Sequence, residues 1–503
     1  MSLGTFVSLC LGLVRDVLVA YFFGTSHMLE AFVVAFRLPN LFRSILGEGF
    51  SDAIAVPVLA EYAKDRRRLF EVSRRMIFST GTILLVLTIV GMVFCRYFVT
   101  MLAPGFISQP DKFEMTVSFT RITFLYLFLI GLSINLCTVL YSLKKFFVPA
   151  INPIFLNLAF IIVVPFFFGS FNNYILVAAV VVGGFLQIVM PVIALRREGF
   201  SFKFSARGSW NDEAIRKMVK LFPPRLVSSV VYQLNIWVDT MLSSFTSIVG
   251  DGAICAIDFA NRFIHVPLAL VAVPISRVVV VDLSAYHGDK NYQDFKKMLV
   301  FSFQQIVFLV TPLCLALMFF SEGIIDVVFH RGGFNDYSSQ ITSTALFYYS
   351  FGLFSFCAIK LFLSAFYALK DTLTPAKTTA ICLLVNALCS VILMFPLKIG
   401  GVALGTSISA VVNVFMLYRI LVKKIGAIDW QDTLSQAWRV LSAGLLSMTM
   451  ARILWQVLLA NKYIKLGAAI SAAVPLFIGI GLILNVRQCV YLKQKILVRY
   501  AKR

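Results

Sequence analysis

Charged residues are scarce in this chain: Asp, Glu, Lys and Arg make up 14% of 503 residues, against about a quarter in soluble domains. No interval outside the apolar runs is long enough for an independent soluble domain. A C-x-x-C pair is also missing. The nine cysteines (Cys10, Cys95, Cys137, Cys255, Cys314, Cys357, Cys382, Cys389 and Cys489) lie scattered through apolar segments, so they read as packing residues rather than disulfides or metal ligands. The four histidines (His27, His265, His287, His330) show no metal-ligand spacing, and no metal is assigned to them. Nothing matches G-x-x-x-x-G-K-[ST], so ATP-driven transport would need a separate subunit. A serine nucleophile elbow and a carboxylate pair on a large loop are absent too, which leaves an integral membrane enzyme without positive support. Short alternating segments do not occur, which excludes a β-barrel reading. The first apolar run has no basic leader or small-residue cleavage site, and Arg15-Asp16 interrupts it. It is expected to be a first transmembrane helix, not a signal peptide.

What the chain has in abundance is apolar sequence: 59% of its residues are hydrophobic and its mean hydropathy is +0.88. Runs of about 20 apolar residues recur from end to end, the mark of an all-α polytopic membrane protein. Fourteen helices are expected, at about 2–23, 28–62, 74–102, 113–143, 148–169, 174–195, 221–245, 253–283, 298–320, 340–369, 378–396, 401–422, 434–460 and 464–486. The second is too long for one straight crossing at 1.5 Å per residue, and Pro39, Gly47, Gly49 and Pro57 offer places to bend it. Lys64–Arg68 with Arg74-Arg75 reads as a strongly basic loop.

The formal net charge of +21 could suggest nucleic acid, but the positive residues gather in short loops, where the positive-inside rule explains them. Alternating fourteen helices from an inside N-terminus puts the 64–75 cluster, Lys144-Lys145, the 196–220 interval, Lys290/Lys296/Lys297, Lys370/Lys377, Lys423-Lys424 and the basic tail on one side. The other side keeps only Lys112, Arg331, Lys398, Lys462 and Lys465. Both termini are therefore expected in the cytoplasm. The polar stretch at 198–220 is a linker between an N-lobe at 1–197 and a C-lobe at 221–425, with a final helix pair and basic tail at 426–503. A short echo relates the lobes: Ala35-Phe36-Arg37 and Leu59–Tyr62 against Ala260-Asn261-Arg262 and Leu283–Tyr286. An even number of helices per lobe implies a pseudo-twofold along the membrane normal.

Charges inside spans concentrate in helices 1, 2, 7 and 8, and such groups face a bundle interior or a wet path. Arg15 and Arg43 from the first lobe and Arg262 from the second would grip a phosphate or diphosphate, because a guanidinium fork stays ionised when desolvated and makes paired bonds. The competing reading is structural ion pairing, Arg15 with Glu30 or Glu48 and Arg262 with Asp258. Taken together, the three arginines favour an anion-receiving cavity. Arg37, Arg225 and Arg277 lie nearer helix ends and read as snorkelling. Asp239, deep in helix 7, would hold Na⁺ with oxygens such as Asn386, Ser390 and Thr406, exchange a proton, or simply be hydrogen-bonded.

Several runs carry a family resemblance: LGLVRD (11–16), AFRLPNLFRSILGEG (35–49), VPVLAEY (56–62), APGF (103–106), ANRF (260–263), RGGF (331–334) and AFYALKDTLTPAK (365–377). In order and spacing the chain resembles the MurJ/MviN family, lipid II flippases of the multidrug/oligosaccharidyl-lipid/polysaccharide exporter superfamily. The resemblance implies fourteen helices, two six-helix lobes around a cavity, and a C-terminal pair holding a polyprenyl tail. It implies alternating access that carries lipid II, the undecaprenyl-diphosphate-linked disaccharide pentapeptide, to the outer leaflet of the bacterial inner membrane. Arg15, Arg43 and Arg262 match its cavity arginines, with Asp16, Glu30 and Glu48 as neighbouring acids. Asp239, Asn386, Val402 and Thr406 fall where the family's sodium site is proposed. No organic cofactor is implied; Na⁺ or the membrane potential is the candidate driving force. Lipid II and membrane lipids are the implied partners, with the cell-wall synthesis machinery as a further candidate and no nucleic acid.

The chain departs from the family pattern at Leu9 (commonly Arg), Asn261 in ANRF, His265 (often an acid), Val281 (commonly Pro) and Ser390 (a sodium-ligating acid in the pattern). These bear on ion coupling more than on substrate class. Two alternatives stay open: a flippase for another polyprenyl-diphosphate-linked unit, and a cation-coupled multidrug exporter.

Overall fold

The computed structural model describes residues 3–169, 172–203, 212–458 and 460–501, with backbone alone at 3–6, 47–49, 52–53, 172, 223–232 and 496–501. In chain order the α-helices are α1 (Leu3–Phe23), α2 (His27–Ser44), α3 (Val56–Ala60), α4 (Arg66–Val93), α5 (Cys95–Leu102), α6 (Pro110–Ser142), α7 (Phe147–Phe167), α8 (Ile175–Arg197) and α9 (Glu213–Ser243). They continue as α10 (Thr246–Val249), α11 (Ala253–Pro267), α12 (Val273–Gly288), α13 (Tyr292–Phe319), α14 (Ser321–Val328), α15 (Asp336–Ala368), α16 (Leu373–Leu397), α17 (Ile399–Ile425), α18 (Gln431–Val457), α19 (Lys462–Ile483) and α20 (Arg487–Ala501). No strand occurs among the described residues.

Eleven helices among the described residues are long and apolar enough to cross a membrane. The long helical segments outside that set are α1, α2 with its continuation to Ala60, and α9. Of these, α2 is set apart by its charge, holding Glu30, Arg37 and Arg43 in 18 residues, whereas α1 holds only Arg15 and Asp16. Adding the three brings the tally to the fourteen expected from the sequence.

One boundary differs in kind. The basic run at Arg66–Arg68 and Arg74-Arg75 is not a loop but the opening of α4. Asp65 caps it, its carboxylate accepting from the N–H groups of Arg67 and Arg68 at 3.0 and 3.1 Å, and arginine is itself a good helix former. Likewise, α9 begins at Glu213 inside the polar interval, and the basic tail after 486 is the helix α20.

The helix boundaries repeat with a constant spacing of 226 residues: 27 against 253, 66 against 292, 95 against 321, 110 against 336 and 147 against 373. A sequence signal for this register exists in Tyr141-Ser-Leu-Lys144 with Pro149-Ala150 against Tyr367-Ala-Leu-Lys370 with Pro375-Ala376. In this register Arg262 stands opposite Phe36, so the short echo read from the sequence runs one residue out of step at Arg37/Arg262 and two at Leu59–Tyr62/Leu283–Tyr286. Both copies of the second repeat helix change to π-helical winding, at Ile45–Ala55 and at Leu268–Ala272. Such stretches are rare and gather at functional sites.

By packing, the chain forms two compact units: Met1–Thr246 with Arg331–Phe334, and Ser247–His330 with Asn335–Arg503. In the first, a cluster including Leu59, Leu69, Met76, Val139, Leu195 and Ile215 joins α3, α4, α6, α8 and α9. Asp212 anchors the start of α9: its carboxylate accepts from Ala214 N–H at 2.9 Å, Arg68 at 3.0 Å and Arg75 at 2.5 Å while wholly buried. Here a helix cap and two ion pairs share one acid. The four residues Arg331–Phe334 close over the end of α1, Gly333 N–H donating to Tyr21 O at 2.6 Å. Gly24 (φ +56°) makes room for them, since a Cβ there would lie 2.1 Å from the Gly333 carbonyl oxygen.

In the second unit α18 and α19 pack on α13 through Leu315, Phe320, Met448, Ala451 and Leu466. The turn from α15 to α16 is tied by Asp371, which pairs with Lys424 at 2.8 Å and accepts from the Thr374 hydroxyl and N–H at 2.6 and 3.0 Å. Burial pushes this carboxyl up, but those three donors more than offset it and bring the group down to about 2. Asp371 therefore adds stability that is complete above its ordinary value of 3.8 and lost as the pH falls through about 2. Asp371→Asn is expected to lower stability at neutral pH and to remove part of the acid sensitivity below pH 3.8. Melting temperatures of parent and variant across that range read this out, and parallel curves would refute it.

Candidate functional site

In the first unit, α1 and α7 position Arg15. Its Nε and Nη2 donate to Asp16 at 3.0 and 2.7 Å, and Nη1 donates to Asn157 at 3.0 Å. Asn157 in turn donates to Ser8 O at 3.1 Å, fixing its carbonyl toward the arginine. The guanidinium also sits over the Phe160 ring, 5.8 Å from its centre. The sequence pointed to Glu30 or Glu48 as its acid; the carboxylate bonded to it is that of its own neighbour in the chain, Asp16. The Glu48 side chain lies outside the described residues.

Glu30 is instead matched by Lys112, Oε2 to Nζ 2.5 Å, with both side chains almost wholly buried. The ammonium also rests 4.1 Å from the centre of the Phe106 ring. Lys112 is not a loop residue, as its charge suggested; it lies in the first turn of α6. A lysine in such a place is tolerated because its partner, 82 positions away, neutralises it.

Arg43, in the last turn of α2, is exposed, and its Nε donates to Asn40 at 2.8 Å. Among the described side chains its only hydrogen-bond acceptor is this neutral amide. Arg37 is not at a helix end. It lies within α2, Nη1 donating to Ile236 O at 3.4 Å, with its buried Nε unbonded.

In the second unit Arg262 pairs with Asp258 one turn earlier at 3.0 Å, both side chains more than a third exposed. A surface pair of this kind contributes little stability, and its arginine stays accessible. His265 lies within the electrostatic reach of Arg262, Asp258 and Lys360. Lys360, in α15, escapes the charge survey of the sequence, although a lysine inside a 33-residue apolar helix is a visible signal.

A third group forms where α16 meets α17. Gly401 and Gly405 are spaced four apart, and a Cβ on them would lie 2.1 Å from Leu393 O and from Ser390 Oγ respectively. This small-xxx-small face lets the helix backbones approach closely. The approach gathers oxygens: Ser390 and Thr406 hydroxyls donate to Asn386 Oδ1 at 3.1 and 3.3 Å, and to Val402 O at 3.4 and 3.2 Å. Asn386, Ser390 and Val402 are fully buried. The donors are all neutral oxygens, which fits a hard cation such as Na⁺. Asp239 is buried on α9 in the first unit, its carbonyl accepting from Ser243 at 2.6 Å. No group of three or more His, Cys, Asp or Glu suited to a metal occurs among the described residues.

Two bundles of spanning helices with charges inside them define a polytopic transporter fold. An inward-facing multidrug transporter of the MATE family in the MOP superfamily shares that fold, with a TM-score of 0.67 at 14% identity over 85% of this chain and 96% of the other. A solved lipid II flippase MurJ in an inward closed conformation matches with a TM-score of 0.79 at 25% identity, covering 96% of this chain and 98% of that one. The family model described as lipid II flippase MurJ matches residues 19–474. A protein of Buchnera aphidicola subsp. Acyrthosiphon pisum named "Probable lipid II flippase MurJ" is 31% identical over 483 residues, 95% of this chain and 93% of that protein. The lipid II flippase MurJ of Burkholderia cenocepacia is 29% identical over 428 residues, 84% of this chain and 82% of that protein. The chain belongs to the MurJ lipid II flippase family.

Proposed function

We propose that this chain is a lipid II flippase that carries the undecaprenyl-diphosphate-linked peptidoglycan precursor from the inner to the outer leaflet of the bacterial cytoplasmic membrane, moving it without covalent change. Membership of the family over nearly the whole chain carries this reading. The excess of basic residues on alternate loops supports an orientation with both termini in the cytoplasm.

The barrier to flipping is the transfer of a diphosphate and a sugar-peptide head through hydrocarbon. Arg43, bonded to a neutral amide, has a full charge to offer the diphosphate. Arg15 and Arg262 keep carboxylates at hand, so an incoming phosphate competes with Asp16 and Asp258 for them. Glu30 serves this site indirectly, by fixing α2 against α6 through Lys112. The α18–α19 pair, whose exposed residues include Leu445, Met450, Ile453 and Ile470, would hold the isoprenoid tail. Anion binding neutralises arginine charge, and an interior-negative potential favours return of the empty cationic site. Na⁺ held by Asn386, Val402 O and Thr406 would couple the return step to the sodium gradient.

Arg43→Ala is expected to abolish rescue of a flippase-depleted bacterium, at unchanged membrane levels, and to leave lipid II trapped in the inner leaflet. Full rescue would remove Arg43 from the diphosphate grip. Asn386→Ala is expected to leave substrate binding intact and to flatten the dependence of flipping on external Na⁺. An unchanged sodium dependence would argue against the ion site.

A further inference from the structure

A second cationic site lies where α12 and α15 end. Ser284, His287, Lys290, Tyr292, Tyr367 and Lys370 line a groove of about 500 Å³, and no carboxylate is among the lining residues. The nearby acids are already engaged. Asp294 pairs with Lys297 at 3.1 Å and Asp371 with Lys424 at 2.8 Å, so Lys290 and Lys370 bring uncompensated charge to the groove. Asp289 is exposed and outside the lining.

The backbone holds both lysines in place. Each helix ends in the same paired turn: Lys290 N–H donates to His287 O and Asn291 N–H to Tyr286 O, while Lys370 N–H donates to Tyr367 O and Asp371 N–H to Phe366 O. These bonds satisfy the last carbonyls, which would otherwise face an anion. The lysines themselves occupy the left-handed position, at φ 56° and 58°. Glycine is the unstrained residue there, and a side chain costs roughly 1 kcal/mol. Local structure alone would therefore choose glycine over lysine at both turns.

We propose that this groove binds a phosphate-bearing anion, its charge met by the Lys290 and Lys370 ammonium groups and its oxygens by the Tyr292 and Tyr367 hydroxyls. The groove stands at the ends of two membrane-spanning helices, and both tyrosines are exposed there. A lipid headgroup and a soluble phosphate share this chemistry. The site is separate from the arginines assigned to the diphosphate, and it does not depend on lipid II being the cargo.

Native mass spectrometry of the detergent-solubilised full chain tests it, with phosphatidylglycerol, phosphatidylcholine and inorganic phosphate as probes. The informative variant is Lys290→Gly with Lys370→Gly, because glycine relieves the turn strain while removing the charge, so misfolding does not confound the result. Lys493→Gln with Lys495→Gln, at exposed positions on α20, removes equal charge outside the groove. The groove variant is expected to weaken retention of phosphatidylglycerol by roughly tenfold, leaving phosphatidylcholine unchanged and the control variant like the parent. Loss of bound phosphatidylglycerol on adding millimolar phosphate would assign the groove to a soluble phosphate; resistance to it would assign it to lipid. Equal losses in both variants, or no phosphatidylglycerol or phosphate binding by the parent above phosphatidylcholine, would overturn the proposal.

Discussion

Lys112→Met is expected to destabilise the protein by about 3–5 kcal/mol, because it removes the ammonium paired with the Glu30 carboxylate in a site closed to water. Glu30→Gln should cost a comparable amount for the converse reason, leaving a buried ammonium beside the Phe106 ring. The double variant Glu30→Leu with Lys112→Met removes both charges and should recover most of the loss, since a buried pair replaced by apolar groups of similar volume is often neutral. Thermal unfolding of detergent-solubilised parent, singles and double gives the coupling directly. Additive losses would mean that the two groups do not depend on each other. The same pair limits what Glu30 can do in transport: an acid at 0% exposure has no free face for a ligand, and its contribution is positional.

The second large effect is expected at the contact of α16 with α17. Gly405→Ala would put a methyl 2.1 Å from Ser390 Oγ and 2.7 Å from Ser390 N, and Gly401→Ala would put one 2.1 Å from Leu393 O. Backbone atoms cannot rotate out of the way as a side-chain tip can. Each substitution should therefore part the helices and cost about 1–3 kcal/mol or more, at the upper end of the overpacking range. Parting them also spreads Asn386 and Ser390 from Val402 and Thr406. If Na⁺ raises the melting temperature of the parent, the alanine variants should lose that increment as well as base stability. A Gly405→Ala protein as stable as the parent would show that the approach is looser than drawn.

Much of this architecture is legible from hydropathy and charge. Apolar runs of spanning length locate the helices, and the i,i+4 spacing of Asp258 and Arg262 is a pairing that sequence alone can propose. What hydropathy cannot see is a charge that is buried because its partner comes from elsewhere. Lys112 counts as a loop residue in any charge tally, yet Glu30 takes it into the first unit. The arginines after Asp65 mislead for the opposite reason. They read as loop by polarity but are held in a helix by a cap and by Glu71 and Asp212. Asp212 lies 144 positions from Arg68, beyond any local pattern. The 226-residue register is partly visible in the Tyr-x-Leu-Lys and Pro-Ala matches. The arginine-centred echo misses it by one position because similar functional residues need not occupy equivalent sites in two copies.

The wide-wound segments at Ile45–Ala55 and Leu268–Ala272 carry a mechanical consequence. Tightening such a segment by one residue turns everything downstream by roughly 100° and draws it along the axis by about 1.5 Å. Below the first lie Glu61 and Tyr62, and below the second lie Asp282 and His287. In each unit the winding thus sets the angle of the lower half of one helix relative to its upper half, which bears Arg37 or Arg262. A single-residue deletion inside either segment would re-aim the residues below it by about 100°.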